Sequence, residues 1–391
     1  MITIYLILIF LILKSYSVEI PVISSMGLKA GIIGLPNAGK STIFNALTQS
    51  GIPAENYPFC TIDPNAGIVN IPDFRLYELA DIFKPGEITP ATMEFLDIAG
   101  LVKGASHGEG LGNQFLSHIR DVDAVIHVVR LFEDENVSHV EGSLDPIRDI
   151  NIVETELLLR DIASVDKRME KLIKTARIGN KESIIALTVM EIILPKMNDG
   201  IMVHDIKLEK DQLRRIRQMA LLTSKPTLYV ANVDEDEILA ENRGENIQKL
   251  FVFAEKCGNA AIRLCGNLEA EIAPLPDKEK PAFLLEYNLP EIGLDKLIHA
   301  SYSLLGLETF FTAGDKQVRA WTIKKGASAP CAAGEIHSDM ERGFIKADVY
   351  SCNELISAGS ELALREVGKI RQEGKNYTIQ DGDVIFFKFN V

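Results

Sequence analysis

The segment Gly34-Leu35-Pro36-Asn37-Ala38-Gly39-Lys40-Ser41 constrains this chain most, because its two glycines and its lysine–serine pair stand at a fixed spacing. A short apolar run over 30–33 precedes it and indicates a buried strand, and the stretch over 42–47 indicates a helix. A strand, a glycine-rich loop of this spacing and a helix form the context of a phosphate-binding loop. The alternative is an ordinary glycine turn with a solvated lysine, and the full eight-residue match argues against it.

Each part of this loop suits the binding of a nucleoside triphosphate. The backbone N–H groups can surround the β-phosphate, and the helix N-terminus adds the positive end of its dipole. Lys40 can reach the β- and γ-phosphates, which makes it a catalytic candidate, and the Ser41 hydroxyl can bind Mg²⁺. The predicted nucleotide ligands in this loop are Asn37, Ala38, Gly39, Lys40, Ser41 and Thr42.

Length, charge and cysteine content restrict the class of protein. A chain of 391 residues is long enough for two or three domains. The formal net charge is −14, so a contact with RNA has to be a local patch. The five cysteines are odd in number and form no C-x-x-C pair, which argues against a disulfide framework or a zinc site and for the cytoplasm.

The N-terminal segment conflicts with a cytoplasmic location. Residues 1–13 are almost wholly apolar, like the core of a signal peptide, but the run is too short to span a bilayer and no basic region precedes it. We therefore interpret 1–25 as a non-structural extension, with translation starting at Met26. A weak membrane-surface anchor is the alternative, and we expect no stable membrane association.

Strand signals over 26–144 and 224–303 predict one nucleotide-binding domain with a mainly parallel sheet covered on both faces. The predicted strands that follow the loop lie at 67–71, 93–100, 124–129, 226–232 and 260–265. From 304 to 391 the runs alternate between apolar and polar residues, and a turn at 380–383 precedes the last one. This pattern predicts a separate β-rich domain.

Residues 145–223 lack strand signals and predict an inserted helical hairpin. Apolar residues recur at spacings of 4 and 3 on both sides of a polar break at 179–181. A coiled coil and ordinary amphipathic helices explain so few heptads equally well. The predicted seam residues are Leu158, Ile162, Val165, Met169 and Leu172 before the break, and Ile185, Val189 and Ile192 after it.

Two further positions complete a predicted magnesium and γ-phosphate site. Asp97 ends a strand and is followed by Gly100, so the carboxylate can hold Mg²⁺ and the Gly100 N–H can point at the γ-phosphate. Thr61 lies between the loop and Asp97 and can supply a second hydroxyl to the metal. An ordinary loop threonine is the alternative. Asn37 can help to bind K⁺ near the phosphates or can simply cap the loop.

The base-binding stretch Asn232-Val233-Asp234-Glu235 departs from the Asn-Lys-x-Asp of guanine-binding proteins. Val233 replaces the lysine, and Glu235 is one methylene longer than the aspartate that would accept the guanine N–H groups. An asparagine amide can pair with adenine N6 and N7, whereas a carboxylate facing adenine N1 would meet another acceptor. Asn232 and Val233 are therefore placed in the nucleotide site, and ATP is favoured over GTP.

The position that orients the attacking water is also unusual. Ras-like enzymes have a glutamine after Asp-x-x-Gly, and this chain has Leu101, which cannot bind water. Hydrolysis is then very slow, or another group orients the water. His127 lies in a strand and is expected in the core. Spacing alone does not choose among the other nearby histidines, which are His107, His118 and His139.

Several segments together resemble the YchF (Obg-like ATPase) family, and the similarity covers nearly all of 26–391. They are GLPNAGKST, YPFCTIDPN, MEFLDIAGLVKGASHGEGLGNQFL, HVVR, NVDE and FFTAGDKQVRAWTIKKGASAPCAAGEIHSDMERGFI. The resemblance implies a Ras-like P-loop domain, an inserted helical coiled coil and a C-terminal TGS domain with a ubiquitin-like β-grasp fold. It also implies hydrolysis of ATP to ADP in preference to GTP.

The resemblance further implies a catalytic role and a partner. In Asn136-Val137-Ser138-His139-Val140, His139 is the carried-over substitute for the missing glutamine. The implied partner is a ribosome, 50S or 70S, reached through the concave face between the helical arm and the TGS domain. Arg319, Lys324 and Lys325, which flank Trp321, can supply a basic and aromatic contact with rRNA, for which a solvated strand edge is the alternative. We expect a cytoplasmic monomer acting as a slow Mg²⁺-dependent ATPase switch. A ribosome-binding module with a regulatory nucleotide and a GTP-dependent translation factor are the competing functions.

Overall fold

A computed structural model describes residues 28–49, 65–98, 119–133, 143–240 and 243–390. Within these ranges no helix is both long and apolar enough to cross a membrane. The extension over 1–25 and the proposed start at Met26 lie outside the described residues.

Six strands form the first sheet, and their order places the glycine-rich loop near its middle. They are β1 (Lys29–Ile33), β2 (Ala66–Asn70), β4 (Thr92–Asp97), β5 (Ala124–Leu131), β6 (Thr227–Val233) and β7 (Ala260–Leu264). The order is β2-β4-β1-β5-β6-β7, and every pair is parallel except β2 with β4. The predicted mainly parallel sheet is therefore confirmed.

Helices cover both faces of this sheet, which is why its central strands are buried along their whole length. All residues of β5 and β6 are buried. The sheet-covering and connecting helices are α1 (Lys40–Gln49), α2 (Phe74–Phe83), α6 (Glu235–Leu239), α7 (Glu245–Lys256), α8 (Gly266–Ile272), α9 (Lys280–Glu286) and α10 (Gly293–Leu304).

Between β5 and β6 the chain forms a helical arm. Helix α3 (Pro146–Arg177) starts with Asp145, whose carboxylate accepts from two backbone N–H groups of the first turn, and with a proline at the first helical position. Helix α4 (Lys181–Asn198) starts with Asn180 as its N-cap, so the predicted break is confirmed. A shorter helix, α5 (Lys210–Met219), packs against α4.

The seam of the arm agrees with the prediction on α3 and differs on α4. Leu158 and Val165 are buried, and the other predicted seam residues of α3 pack against the same cluster. On α4 the buried apolar residues are Val189, Met190, Ile193 and Met197. The predicted seam residue Ile185 is 45% exposed, so that part of the prediction is wrong. Met190 and Ile193 fill the interface, and α5 adds Ile216 to the same core.

A buried carboxylate anchors the arm to the strand that follows it. Asp161 on α3 is 2% exposed and accepts hydrogen bonds from the backbone N–H groups of Leu222 and Thr223 at 3.0 and 2.8 Å. The Thr223 hydroxyl donates to it at 2.7 Å. These bonds fix the short turn that leads into β6.

The second sheet contains the C-terminal strands and one short strand from the nucleotide-binding part. Its order is β11-β10-β12-β8-β9-β3, and the parallel β8–β12 pair lies at its centre. The members are β3 (Glu87–Thr89), β8 (Leu307–Ala313), β9 (Gln317–Lys324), β10 (Phe344–Ser351), β11 (Arg371–Glu373) and β12 (Asp383–Phe389). The accompanying helices are α11 (Ala329–Ile336), α12 (Ser338–Arg342), α13 (Cys352–Ala358) and α14 (Glu361–Glu366).

Strand β3 was not predicted, and it joins the two halves of the molecule. It pairs in parallel with β9 over Glu87 to Thr89. A second link is Arg75 on α2, whose guanidinium lies 2.8 Å from Asp73 and 2.6 Å from Asp381 in the turn before β12. These contacts place α2 directly against the β-grasp domain.

Candidate nucleotide-binding site

The glycine-rich loop runs from the end of β1 into α1 and closes on itself through backbone hydrogen bonds. The Leu35 carbonyl accepts from the Ala38 N–H at 3.4 Å, and the Gly39 carbonyl accepts from the Ile43 N–H at 3.1 Å. Asn37, at the exposed tip, has a left-handed backbone with φ of 61°. The strand, loop and helix predicted from the sequence are therefore confirmed, with helix α1 starting at Lys40.

Both glycines of the loop are required by close approaches. A Cβ atom on Gly34 would lie 2.3 Å from the Val128 carbonyl oxygen, and one on Gly39 would lie 2.1 Å from Asn232 Nδ2. Gly39 also has a φ of 89°, which residues other than glycine rarely adopt. The loop thus packs against the middle of β5 at Val128 and against Asn232 near the end of β6, at distances that only glycine permits.

Lys40 is held inside the loop. It is 7% exposed, and its Nζ donates to the Leu35 carbonyl at 2.8 Å. Burial lowers the pKa of its ammonium, while the charge of Asp97 opposes this shift. A phosphate group in the loop would give this partly desolvated cation a counter-charge.

Ser41 and Asp97 meet, as their predicted role in holding a metal requires. The Ser41 hydroxyl donates to Asp97 Oδ2 at 3.0 Å. Asp97 Oδ1 is buried and has no hydrogen-bond partner among the residues that the structure describes. A carboxylate oxygen without a partner beside a hydroxyl is a donor set suited to a hard cation such as Mg²⁺. No cluster of three or more acidic, histidine or cysteine ligands occurs in the described ranges. Because Mg²⁺ is octahedral and is usually held by one or two protein groups with phosphates and water, these two side chains would supply part of the coordination.

Asn232 bridges the loop to the neighbouring turn. Its Nδ2 donates to the Ala38 carbonyl at 3.0 Å, and its Oδ1 accepts from the Gly266 N–H at 2.9 Å. The side chain is 4% exposed. An amide has two N–H donors and two acceptor lone pairs, so one donor and one acceptor remain for a base. The bridge was not predicted, although Gly266, two residues after the end of β7, lies at the same sheet edge as the loop.

The residues after Asn232 have different positions. The Val233 side chain is 2% exposed and packs in the core under α7, so its contact with a base stays a prediction. Asp234 accepts from the Glu133 N–H at 3.1 Å. Glu235 is exposed at the start of α6.

His127 is a core residue, as predicted. It is 2% exposed on β5, and its ring centroid lies 5.7 Å from that of Tyr229. Burial, together with the charge of Lys40, lowers the pKa of its imidazole to about 3. It is therefore neutral near pH 7 and does not act as a charged group beside the loop.

Other predicted site residues lie outside the described ranges. They are Thr61, Gly100 and His139, together with Leu101, His107 and His118. Their roles in metal binding, γ-phosphate binding and water orientation stay predictions.

Family models match both parts of the chain. The C-terminal family of YchF GTPases, described as a protein of unknown function, matches residues 307–390. A family described as 50S ribosome-binding GTPase matches residues 29–188.

Whole-length relatives agree with these matches. The proteins named "Ribosome-binding ATPase YchF" from Bacillus subtilis and Haemophilus influenzae are 50% and 51% identical over 366 residues, which is 94% of this chain and 100% of each relative. The solved structure of the Schizosaccharomyces pombe YchF GTPase superposes with a TM-score of 0.82 at 37% identity, over 93% of this chain and 98% of that one. With its glycine-rich loop and its β-grasp domain in the same arrangement, the chain belongs to the YchF family of P-loop nucleotide-binding proteins.

Proposed function

We propose that this protein is a slow Mg²⁺-dependent ATPase that prefers ATP to GTP and acts as a nucleotide-controlled switch on the ribosome. The names of the relatives support hydrolysis of ATP and association with ribosomes. The geometry of the loop around Lys40 supports binding of a nucleoside triphosphate.

The observation that carries the ATP preference is the base end of the site. Beyond its bonds to Ala38 and Gly266, the Asn232 amide has one donor and one acceptor without a partner among the described residues, and these match adenine N7 and the N6 amino group. A guanine site needs an aspartate at the position of Glu235 and a lysine stem at that of Val233. In this chain the aspartate position has Glu235, a longer and exposed carboxylate, and the lysine position has Val233, a core side chain.

The phosphate end of the site is assigned to the loop and to Asp97. Mg²⁺, when bound, neutralises charge on the β- and γ-phosphate oxygens. Ser41 and Asp97 would hold it with Thr61, and Lys40 would leave the Leu35 carbonyl for the phosphates. K⁺ would bind beside Asn37.

The hydrolytic step is assigned to Gly100 and His139. The Gly100 N–H would hold the γ-phosphate, and His139 would orient the water in place of the missing glutamine. Binding of the γ-phosphate would order the segments around Thr61 and over 100–112, and hydrolysis would release them, which would make the protein a switch. The competing function is a binding module with negligible turnover. ATP turnover measured with and without 70S ribosomes separates the two, because a module shows no stimulation.

The base preference is tested by competition of ATP and GTP for a fluorescent nucleotide on the full chain. We expect ATP to bind at least about tenfold tighter, equivalent to about 1.4 kcal/mol. Asn232→Ala also breaks the bridge to Ala38, so it weakens both nucleotides, and the ATP-to-GTP ratio is the informative quantity. We expect that ratio to collapse in Asn232→Ala.

The matched variant is Glu235→Asp, which shortens the carboxylate toward the guanine-binding length. It should raise GTP affinity and leave ATP affinity unchanged. A wild-type preference for GTP, or an unchanged ratio in Asn232→Ala, would show that the adenine assignment is wrong.

A further inference from the structure

A cavity of about 290 Å³, which we call the β7 groove, lies at the outer edge of the first sheet. Strand β7 is the last strand in the order of this sheet and pairs in parallel with β6. No other strand of the described ranges pairs with its second edge. The residues that line the groove come from β7, from the two helices beside it and from the segment before α7; they are Arg243, Phe251, Ala261, Ile262, Arg263 and Lys296.

The β7 groove follows the backbone edge of the strand rather than one face of the sheet. Successive side chains of a strand point to opposite faces. Ala261 packs in the cluster that contains the buried residues of α7, and Ile262 packs in the cluster that contains those of α10. A cavity that contacts both side chains therefore extends across the strand edge. Phe251 of α7 and Lys296 of α10 form its two walls.

The lining of the β7 groove is positively charged. Three of its six residues are basic and none is acidic, although the chain has a net charge of −14. The Arg243 guanidinium carbon lies 3.7 Å from the centre of the Phe251 ring. This contact orients the planar guanidinium, whose N–H donors suit the bidentate binding of a carboxylate. In the described part of the chain the Arg243 side chain forms no hydrogen bond or ion pair.

Arg263 and Lys296 add two further cations to the groove. The terminal nitrogens of Arg263 donate to the Glu237 and Ala240 carbonyls at 2.9 and 3.0 Å. These carbonyls position the guanidinium without neutralising its charge, and a guanidinium has five N–H donors in all. Lys296 lies 3.6 Å from Glu291, and the two side chains are 43% and 49% exposed, so solvent screens this pair. All three cations can therefore meet the carboxylates of a ligand.

Protection of the strand edge explains only part of this arrangement. Proteins shield edge strands by keeping them short and by placing charged side chains beside them, and β7 has five residues. Shielding does not require that the charges have one sign or that they surround a cavity with an aromatic wall. Pairing with β7 of a second copy is disfavoured, because two-fold symmetry would place the same cations opposite each other. An acidic partner is complementary to this edge in charge and in backbone hydrogen bonding.

We propose that the β7 groove binds an extended acidic peptide of another protein, which adds to the sheet as a strand beside β7. Backbone hydrogen bonds to the strand edge supply affinity in this mode of recognition, and alternate side chains supply specificity. Arg263 points to the same face as Ala261, so carboxylates on the α7 side would meet Arg243 and Arg263. Lys296 adds positive charge on the α10 side. The proposal does not depend on nucleotide or ribosome binding.

The test uses the full-length protein and fluorescein-labelled hexapeptides, with binding followed by fluorescence anisotropy. The acidic probe EVEVEV alternates glutamate with valine, and QVQVQV and KVKVKV are its neutral and basic counterparts. Two further probes are EVEVEV with N-methyl groups on the amides of its glutamates or on those of its valines. In an added strand the N–H groups that face β7 belong to alternate residues, so one methylated set removes them and the other does not.

The wild type should bind EVEVEV at least about tenfold more tightly than QVQVQV or KVKVKV, because only EVEVEV forms charge-assisted hydrogen bonds to the cations. The variant R243Q/K296Q should bind EVEVEV at least about tenfold more weakly than the wild type. The matched control K249Q/K256Q removes two positive charges at exposed positions of α7 outside the groove, and its affinity should stay within about twofold. Circular dichroism checks that both variants are folded. Methylation of one alternate set of amides should abolish binding, and methylation of the other set should leave it unchanged.

Three results with the peptides would overturn the proposal. Failure of EVEVEV to bind at about 1 mM would exclude an acidic added strand. An equal loss in K249Q/K256Q would show that overall charge alone explains binding. Equal affinities of the two methylated peptides would exclude strand addition. If both then bind as tightly as EVEVEV and inorganic phosphate competes with them, the groove is a simple anion site.

Sedimentation velocity tests the remaining occupant, a second copy of the chain. We expect the wild type and R243Q/K296Q to have the same oligomeric state with and without EVEVEV. A wild-type dimer that EVEVEV converts to a monomer would overturn the proposal, because a second copy would then occupy the β7 groove.

Discussion

Replacing Arg75 with alanine should loosen the contact between α2 and the β-grasp domain. The guanidinium bonds to Asp73 at 2.8 Å and to Asp381 at 2.6 Å, and lies 5.3 Å from the centre of the Phe311 ring. Asp381 in turn accepts from the Thr309 N–H of β8 at 2.9 Å. The hydrogen bonds to both carboxylates raise the pKa of Arg75 further above its usual range, so it is charged at every pH at which the protein is folded.

The size of the effect follows from the exposure of each partner. The Asp73 side chain is 11% exposed, and charge-assisted hydrogen bonds of that kind contribute about 1.5 to 3 kcal/mol. Asp381 is 48% exposed, so solvent screening limits that pair to less than about 1 kcal/mol. The ring contact adds about 0.5 to 1 kcal/mol. We expect Arg75→Ala to lower the free energy of unfolding by roughly 2 to 5 kcal/mol.

Trp321 supplies the assay, because it is the single tryptophan of the chain and lies on β9 of the second sheet. Its indole N–H donates to the Thr312 hydroxyl at 2.9 Å, so its fluorescence should change when that sheet unfolds. The urea midpoint should fall by about 1 M, for an m-value of about 3 kcal/mol/M. Arg365→Ala, at an exposed arginine of α14, is the matched control. A midpoint shift no larger than in Arg365→Ala would refute the reasoning. It would also be refuted if the double variant R75A/D381A lost as much stability as the sum of the two single variants, because the two side chains would then not interact.

Three further predictions concern the site and its support. Gly39→Ala should abolish binding of a fluorescent nucleotide, since its Cβ would clash at 2.1 Å, whereas Gly179→Ala, with nothing within 4 Å, should bind normally. Asp97→Asn should raise the Mg²⁺ concentration needed for half-maximal ATP binding at least about tenfold, and an unchanged magnesium titration would contradict the role of Asp97 as a ligand. Burial raises the pKa of Glu269 to about 7, so the folded state binds an extra proton and stability should fall as pH rises from about 4.5 to 7. The difference between the urea midpoints at pH 5 and pH 8 should be smaller in Glu269→Gln than in the wild type. An equal difference in the two proteins would show that Glu269 does not cause the pH dependence.

The sequence predicted the elements whose chemistry is local. The loop around Lys40 and its flanking strand and helix have a fixed spacing, and the spacing of polar and apolar residues marked the helical arm. The pairing of Ser41 with Asp97 followed from their positions after neighbouring strands. These features depend on residues close in the chain or on the common edge of a parallel sheet.

Features that depend on tertiary packing were missed. The bridge from Asn232 to Ala38 and Gly266 joins residues 194 and 34 positions apart, which no local pattern encodes. The exposed Ile185 has the same spacing as a seam residue, and the partner helix decides which face is buried. Strand β3 has three residues, too few for alternation to be visible.

The pairing of β3 with β9 has a consequence for how the two halves can exist apart. A chain cut before β8 would keep β3 without its partner, and the separated C-terminal part would present β9 as an uncovered strand edge. Such edges are templates for pairing with other chains, so both fragments should aggregate more readily than the intact protein. The β-grasp domain is therefore not expected to be transferable as an isolated unit. A gene fusion or truncation at this junction exposes a strand edge, whereas a cut in a simple linker would not.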